Sequence, residues 1–455
     1  MKQFVIGDFL KRIKKPIEIE DGVIYKRVTI SGNHKGVSLR DSVNGSTIGT
    51  KKQFTVIGGD FIMSKIDARN GAFGIIPLEL DGAIITGNFW TYKVDTDLVD
   101  TEWFFYFTHS YNFIQICIES STGSTHRKYI DEKVFLNHKI NLPSKSQQLE
   151  MVEQFKKSSK ISNKLNSEIQ TQKQLLTNLK QAILQEAIQG KLTEDWRSLY
   201  PELVSGSHSA ESLLQSIKTE KAQLIKEGKI KKENPLPKIA QEEIPFELPN
   251  GWVWCKIDSL VYSIKDDIRT GPFGTALQKS EHKESGVPVL GIESIGKQGV
   301  FTGINKIFVS DKKAQALKSF EVKGLDIIVS RSGTIGELCL LPESIGKALI
   351  STNLMKISLN HKVINPLFFC HLFEGSTTII DQMKELCKGS TRLFITQKIL
   401  NNLFFQIPTL EEQKAIVEKV AALMQKCTAL EAEITQSETN AQMLMQAVLK
   451  EAFEG

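Results

Sequence analysis

The chain has 455 residues, of which 41% are hydrophobic and 24% charged, with a formal net charge of +5. This length suits about three structural units with real cores. No apolar run approaches the length of a membrane span, and the first residues lack the apolar core of a signal peptide. The six cysteines are scattered without a CxxC pair, which argues against a structural zinc site and for a reduced, cytoplasmic protein. The mild positive charge permits a polyanionic partner without requiring one.

Residues 1–142 have the pattern of a mixed domain. Short runs of β-branched and aromatic residues separated by turns predict strands at residues 23–30, 53–57, 60–64 and 83–86. One helical stretch is expected from Thr101 to about Glu119, followed by a small, basic loop at residues 123–128.

A long helix is predicted over residues 146–189. The segment follows Pro143, contains no internal glycine or proline, and stops at Gly190. The stretch from residue 143 to residue 190 recurs without a gap at residues 408–455, where Pro408 matches Pro143 and every later match keeps the same offset. A repeat of this length is one structural unit used twice.

Both copies carry apolar or small residues at alternating steps of four and three, the heptad pattern of a helix that packs on another helix. The predicted seams are Met151, Phe155, Ser158, Ser162, Leu165, Ile169, Gln172, Leu176, Leu179 and Ile183, and Ile416, Val420, Leu423, Cys427, Leu430, Ile434, Ser437, Ala441, Leu444 and Val448. A two-fold arrangement of the repeat predicts that the two helices run antiparallel against each other. The alternative is that each is an amphipathic helix on a larger core.

The chain is therefore expected to contain a mixed domain and a long helix, each twice. Residues 143–243 form a central region, with the long helix, a second helix at 210–227 and a basic connector in which prolines block regular structure. Residues 244–407 form the second mixed domain, in which residues 326–331 correspond to 60–65 and residues 389–391 to 123–125. The final helix, residues 408–455, is predicted to pair with residues 143–190. The predicted fold class is α+β with a pseudo-two-fold internal repeat.

Motifs for catalysis are missing from the sequence. Gly346-Lys347 fails the Walker A pattern because Ala348 follows where serine or threonine is needed. The tetrapeptide from Asn365 to Phe368 resembles that of amino-methyltransferases but lacks its second proline, and the eight histidines show no ligand spacing. No catalytic residue and no metal site are predicted.

Polar, glycine-containing loops at matching places in both mixed domains suit contacts to DNA. Glycine permits close approach of the backbone, and arginine forks onto a phosphate or a guanine edge. The predicted DNA-binding residues are Lys65, Arg69, Asn70, Ser124, Thr125, His126, Arg127, Lys128, Arg269, Thr270, Arg331, Ser332, Thr334, Ser390, Thr391 and Arg392. Arg269 and Thr270 are expected in an exposed basic turn at residues 268–274. A purely structural role is the alternative for each loop taken alone.

This layout resembles the specificity subunit of type I restriction-modification enzymes. The resemblance rests on the matching helix ends at residues 181–190 and 446–455, on the stretches GKLTEDWR at 190–197 and EIPFELPNGW at 243–252, and on the landmarks at 326–333 and 389–392. It covers essentially the full length. The first domain departs most, because Lys65-Ile-Asp-Ala-Arg69 stands where the family usually has Arg-Ser-Gly.

The resemblance implies two target recognition domains, each reading one half of a bipartite site in double-stranded DNA, joined by antiparallel coiled-coil helices that act as a ruler. It implies a non-catalytic chain that binds no cofactor and no membrane. Two methyltransferase subunits and the restriction/translocase subunits would be its partners, and S-adenosylmethionine, ATP and Mg²⁺ would act on them, with adenine as the methylated base.

The helix ends are predicted to dock those partners through Ala182, Glu186, Ala447 and Glu451. The two glutamates lie off the predicted seam, and the two alanines are small enough for close approach. Two alternatives stay open from the sequence. One is a protein-binding coiled-coil adaptor without DNA specificity, and the other is a fragment of a self-contained restriction-methylation enzyme, which would need a catalytic motif that is missing.

Overall fold

The computed structural model describes residues 2–123, 128–244, 246–296, 299–304, 307–331, 337–375, 377–386 and 395–454. The chain forms two compact units: Met1–Gln172 with Glu433–Gly455, and Lys173–Ala432. We call these the first and the second unit. Each contains a mixed α/β domain and parts of both long helices. Within the described residues, no helix combines the length and the hydropathy needed to cross a membrane.

The strands of the first unit precede its long helix in the chain. In chain order its elements are β1 (Lys2–Val5), α1 (Ile6–Phe9), β2 (Leu10–Ile13), β3 (Pro16–Glu18), β4 (Ile24–Ser31), β5 (Gly36–Asn44), β6 (Lys52–Thr55), β7 (Phe61–Ser64), β8 (Phe73–Ile75), β9 (Ile84–Ile85), β10 (Phe89–Val94), α2 (Thr101–Thr108), α3 (Tyr111–Glu119), β11 (Ser121–Thr122), β12 (Tyr129–Ile130), α4 (Glu132–Asn137), β13 (Lys139–Leu142) and α5 (Lys145–Ile188), which continues into the second unit.

Two sheets of four and five strands form the main part of the first domain, in which β11 also pairs with β12. One has the strand order β2-β10-β7-β8 and the other β3-β6-β9-β4-β5, while β1 pairs with β13. The core between them and the helices is rich in aromatic side chains, and the Phe61 ring meets Phe104 edge-on at 5.0 Å, a favoured aromatic geometry.

The helix predicted from Thr101 to about Glu119 is in fact two helices. Helix α2 ends before His109. Helix α3 then begins after Ser110, because the Ser110 hydroxyl accepts a hydrogen bond from the Phe113 N–H at 3.3 Å. Serine is a strong N-cap residue, so this signal was present in the sequence and was missed.

The second unit follows with a similar set of elements. They are α6 (Glu194–Leu199), α7 (Ala210–Lys226), β14 (Val253–Lys256), α8 (Ile264–Asp267), β15 (Ile268–Thr270), β16 (Val287–Leu290), β17 (Phe308–Val309), α9 (Asp311–Ala316), β18 (Glu321–Val322), β19 (Ile327–Ser330), β20 (Leu338–Leu340), β21 (Ala348–Ile350), β22 (Leu354–Ile357), α10 (Pro366–Gly375), α11 (Thr377–Leu386), α12 (Gln397–Asn402), β23 (Phe404–Ile407) and α13 (Leu410–Glu454), which returns to the first unit.

The second domain repeats the sheet arrangement of the first. Its sheets have the orders β15-β22-β19-β20 and β17-β16-β21-β18, and β14 pairs with β23 as β1 does with β13. A parallel pair occurs at the matching place in both domains, between β4 and β9 in the first and between β16 and β21 in the second. The internal repeat inferred from the sequence is therefore a repeat of topology.

The long helices α5 and α13 pack against each other antiparallel, as predicted. In the second unit Lys180 Nζ lies 2.7 Å from Glu431 Oε2, and Lys419 Nζ donates to the Leu192 carbonyl at 2.6 Å. In the first unit the Phe155 ring stacks on Phe453 with centroids 5.3 Å apart. Residues early in one helix thus meet residues late in the other.

The seam departs from the predicted heptads part-way along both helices. Five predicted seam residues are exposed: Gln172, Leu179, Leu430, Ser437 and Leu444. In α5 the half-buried Lys173 and Lys180 replace Gln172 and Leu179. The inward positions Leu165, Ile169, Lys173 and Leu176 are separated by four, four and three residues, a spacing that lies closer to the period of a straight helix than a strict heptad does.

One glutamine at the start of each long helix fastens the adjacent domain to it. In the first unit Gln148 accepts from the Asp100 N–H at 2.7 Å and donates to the carbonyls of Leu98 and Pro143 at 3.1 and 2.9 Å. In the second unit Gln413 makes the same three bonds to Asn365, Val363 and Pro408 at 2.7, 2.9 and 3.1 Å. Every partner in the second site is displaced along the chain from its counterpart in the first by the constant offset of the repeat.

A buried glutamate joins the two central stretches that carried the family resemblance. Glu412 accepts from Thr193 Oγ1 at 2.7 Å, from Arg197 Nη1 at 2.6 Å and from Trp252 Nε1 at 3.0 Å. Burial raises the pKa of Glu412, and the bonds from Thr193 and Arg197 oppose that rise. Gly190 has φ +72°, and a Cβ there would lie 2.9 Å from the Arg197 guanidinium, so the turn after α5 requires glycine.

The glutamine sites make a paired prediction. Gln148→Ala removes partners from buried backbone groups of the first unit alone, and Gln413→Ala does so in the second; each unsatisfied buried group costs about 1–3 kcal/mol. Hydrogen exchange of the full chain, followed by mass spectrometry, should therefore accelerate at the Asp100 amide in the first variant and at the Asn365 amide in the second. Unchanged protection, or acceleration in both units at once, would contradict this assignment.

Candidate nucleic-acid interface

The first candidate surface is built around the loop that follows β7. Lys65, the first residue after this strand, donates its N–H to the Asn88 carbonyl at 2.9 Å. Its own carbonyl accepts from the Ile130 N–H at 2.9 Å. Lys128 lies two residues before Ile130 and is exposed. The structure therefore brings Lys65 and the end of the predicted 123–128 loop to one place.

The second unit repeats this arrangement around Arg331, the first residue after β19. Its N–H donates to the Asn353 carbonyl at 3.0 Å, and its Nε donates to the Ile395 carbonyl at 3.3 Å. Asn353 and Ile395 correspond to Asn88 and Ile130 at the constant offset of the repeat. The two loops chosen from sequence thus occupy equivalent places in both domains.

In both surfaces a cationic side chain stacks on an aromatic ring, but different residues form the contact in each. In the first, Lys65 Nζ lies 5.4 Å and Arg12 Cζ 5.0 Å from the Trp90 ring centroid. Arg12 is also 2.9 Å from Glu132. Burial, followed by the nearby charge of Arg12, lowers the pKa of Lys65. This surface therefore holds two close positive charges, of which that of Arg12 is paired with the Glu132 carboxylate.

In the second surface Arg331 Cζ lies 4.8 Å from the ring of Phe273, which is 57% exposed. Arg331 Nη1 also donates to the Thr352 carbonyl at 3.0 Å, and burial lowers the pKa of Arg331. Two of its nitrogens thus hold the protein's own carbonyls. Arg331 therefore links the end of β19 to the segments that contain Thr352 and Ile395.

Arg69 and Asn70 lie in a 3₁₀ turn (Ala68–Asn70) after β7. Asn70 is exposed and Arg69 half-buried. The Asn70 carbonyl accepts from the Asn33 N–H at 2.7 Å, so the β4–β5 hairpin adjoins this turn. No pattern in the sequence connects residue 33 with residue 70.

Arg269 and Thr270 are not in an exposed turn, contrary to the expectation. They belong to β15, where Arg269 pairs with Lys356 and Thr270 with Met355 of β22. Both are half-buried, and Arg269 Nη2 lies 3.5 Å from Asp266. The turn begins only after Thr270. Residues Ile268, Arg269 and Thr270 form the edge strand of a sheet, and this strand was mistaken for part of the turn because Gly-Pro follows it.

The remaining predicted DNA-binding residues lie outside the described residues: Ser124, Thr125, His126, Arg127, Ser332, Thr334, Ser390, Thr391 and Arg392. Sequence reasoning missed Arg12, Trp90 and Phe273. Phe273 lies in the basic turn predicted at residues 268–274, so an aromatic residue near Arg269 in a predicted exposed turn was a usable signal. Nothing in the sequence connects Arg12 to Trp90, because they meet only through strand pairing.

The predicted docking residues Ala182, Glu186, Ala447 and Glu451 are exposed on the long helices. Other residues of the same helix ends face inward. In the second unit Leu184 and Ile188 are buried, and a Cβ on Gly375 would lie 2.6 Å from Leu184. In the first unit Phe453 packs on Trp103 at 5.8 Å. Part of the similarity between the helix ends therefore serves packing within each unit.

Buried thiols and other titratable groups lie outside these surfaces. Among the residues that the structure describes, no group of three His, Cys, Asp or Glu side chains has the geometry to hold an ion. Cys117, Cys255, Cys339, Cys370 and Cys427 are buried free thiols. Burial raises the pKa of Glu374 to about 7 and lowers that of His371 to about 4.

Comparison with known proteins agrees with this repeated arrangement. The sequence matches the type I restriction modification DNA specificity domain twice, over residues 1–172 and 266–437. The chain belongs to this family. The two matches begin in the two mixed domains and run into the long helices, so one family domain corresponds to one domain-and-helix repeat.

Several specificity subunits from Escherichia coli are similar to this chain. It is 27% identical to the type I restriction enzyme EcoEI specificity subunit, over 60% of this chain and 44% of that protein. It is 30% identical to the EcoAI subunit, over 55% and 40%, and 20% identical to the EcoBI subunit, over 96% and 83%. The chain spans less than half the length of the first two of these relatives.

Solved structures share the fold. One is a chain from a structure described as the structural basis of complex assembly and conformational transition of the type I R-M system. Its TM-score to this chain is 0.64 and its sequence identity 17%, and the similarity covers 99% of this chain and 97% of that one. The HsdS subunit from Thermoanaerobacter tengcongensis has a TM-score of 0.50 and 16% identity, over 100% and 96%.

Proposed function

We propose that this chain is the sequence-specific DNA-binding subunit of a type I restriction-modification complex and that it reads a bipartite, asymmetric site. The observation that carries the proposal is one scaffold used twice with two different cation-aromatic surfaces, Lys65 and Arg12 on Trp90 in one unit and Arg331 on Phe273 in the other. Equivalent loops present different side chains, so the two domains would read different bases.

The proposed recognition domains are residues 1–142 and 244–407, with residues 143–243 as the central region and 408–455 as the returning helix. Lys65, Arg69, Asn70 and Lys128 would contact the first half-site, and Arg331 would contact the second. The other predicted DNA-contact residues lie in the segments 124–127, 332–336 and 387–394, which adjoin these residues in sequence. Readers on one face of B-DNA require half-site centres about one helical turn, roughly 10 base pairs, apart.

The proposed partners carry the chemistry. Two methyltransferase subunits with S-adenosylmethionine would methylate adenine, and restriction/translocase subunits would use ATP and Mg²⁺, while this chain, in the cytoplasm, supplies specificity without a catalytic group. The family membership and the absence of catalytic motifs from the sequence support this division of roles.

Base-resolution methylation mapping tests the function. Expressed with its methyltransferase partner, the chain should direct methylation to a two-part, asymmetric motif with a fixed unread spacer. Exchanging residues 1–142 for the equivalent domain of a relative should change one half-site, and exchanging residues 250–407 should change the other. A continuous palindromic motif, or no motif that depends on this chain, would reject the proposal and favour a coiled-coil adaptor.

The docking surface has its own test. Ala182→Arg or Ala447→Arg places a long charged side chain where close approach is proposed, and overpacking typically costs about 1–3 kcal/mol. Capture of the methyltransferase subunit by the full chain should then weaken by roughly tenfold. Gln170→Arg, at an exposed position of the same helix α5, should retain capture. Equal capture by all three variants would show that the subunit docks elsewhere.

A further inference from the structure

The β4–β5 hairpin differs from the matching hairpin of the second domain by a shift of register. Its strands pair from Ile24 with Asn44 to Ser31 with Gly36. In the second unit the matching strands β16 and β17 pair Val287 with Val309 and Pro288 with Phe308, and a bridge between Ile295 and Phe301 continues the same register towards the tip. Features that both domains share cannot explain different half-sites, so the register shift of the first hairpin is a candidate for its specificity.

A β-bulge aims one arginine out of this hairpin. The pairing passes from Arg27 with Asp41 directly to Val28 with Leu39, which leaves Arg40 without an opposite residue. The Arg40 side chain is 63% exposed, and β5 is the edge strand of its sheet. Bulges at sheet edges commonly redirect a side chain towards a functional surface.

Asp41, the residue after Arg40, is already paired with Arg27. Arg27 binds Asp41 with two bonds, Nε to Oδ1 and Nη2 to Oδ2, both 2.7 Å long. The bond from Arg27 is the largest cause of the lowered pKa of Asp41. Arg40 Nε lies at 3.8 Å from the same carboxylate, beyond hydrogen-bond distance. The pair fixes the bulge and leaves the Arg40 donors directed to solvent.

The hairpin tip is held in place by the loop that carries Arg69 and Asn70. The Asn33 and His34 N–H groups donate to the Asn70 and Gly71 carbonyls at 2.7 and 3.3 Å. Gly71 has φ +78°, and a Cβ there would lie 2.8 Å from the His34 nitrogen, so only glycine permits this contact. The His34 ring also meets Phe73 edge-on at 5.5 Å. A reader anchored in this way loses little conformational entropy on binding.

We propose that the β4–β5 hairpin enters the major groove at the first half-site and that Arg40 is a specificity-determining residue that binds a guanine edge there. This inference rests on the proposed function. The major groove of B-DNA admits a two-stranded β-ribbon, and a forked arginine is the commonest reader of guanine. The hairpin, residues 24–44, contains four Lys or Arg residues and one Asp, and Leu39 beside Arg40 is 48% exposed, as a contact to a thymine methyl group requires.

The test uses the full chain with its methyltransferase partner and duplexes that carry the motif mapped for the parent protein. Arg40→Ala should weaken binding to the intact motif by roughly 5- to 150-fold and relax methylation at one base pair of the first half-site. Arg40→Lys keeps the charge without the fork, so it should keep the salt dependence of binding and still lose the base preference. Arg331→Ala should affect the second half-site alone.

Lys164→Ala is the charge-matched control, because Lys164 is an 81% exposed cation on α5 outside the proposed interface. Hydrogen exchange at Asn33 and His34 reports whether the hairpin tip stays docked in the Arg40 variants. A parental motif and affinity in Arg40→Ala would overturn the inference, as would an equal loss on duplexes with and without the first half-site. If the parent chain itself directs no two-part motif, the proposed function fails instead.

Discussion

A long helix with an apolar seam is stable in water only when that seam is covered, because helical stability in proteins comes mainly from packing. The 44-residue α5 and the 45-residue α13 cover each other, with the stacked Phe155 and Phe453 rings in one unit and the Lys180–Glu431 pair in the other. Antiparallel pairing places the end of each helix beside the domain that precedes the other. Everything else in the fold is attached to this pair.

The attachment is the same in both units, and the surfaces are not. Gln148 and Gln413 make matching bonds to residues related by the constant offset of the repeat. Each domain is therefore attached to the start of its long helix in the same way. Beyond this point the side chains diverge. Lys65 and Arg12 lie on the ring of Trp90 in one domain, and Arg331 lies on the ring of Phe273 in the other. A constant scaffold with variable surfaces permits a change of one surface without a change in the other, which is what independent half-sites require.

The sequence predicted the scaffold better than the surfaces, for a physical reason. A gapless repeat and a periodic apolar seam are local patterns, so the helices, their partner and their direction followed from them. The drift that exposes Leu179 and half-buries Lys180 did not, because it depends on the partner's surface. Arg12 meets Trp90, and Asn33 meets Asn70, through strand pairing between distant residues, which no local pattern encodes. The strand at Arg269 was likewise hidden by the Gly-Pro that follows it.

The proposed function gives the paired helices the role of a ruler between two half-site readers. Inserting seven residues into α5 and seven into the facing turns of α13 lengthens the pair by about 10.5 Å and keeps the seam in register. At roughly 3.4 Å per base pair, methylation mapping should then show a spacer about three base pairs longer with both half-sites unchanged. An unchanged spacer in a methylating complex, or altered half-site bases, would contradict the account.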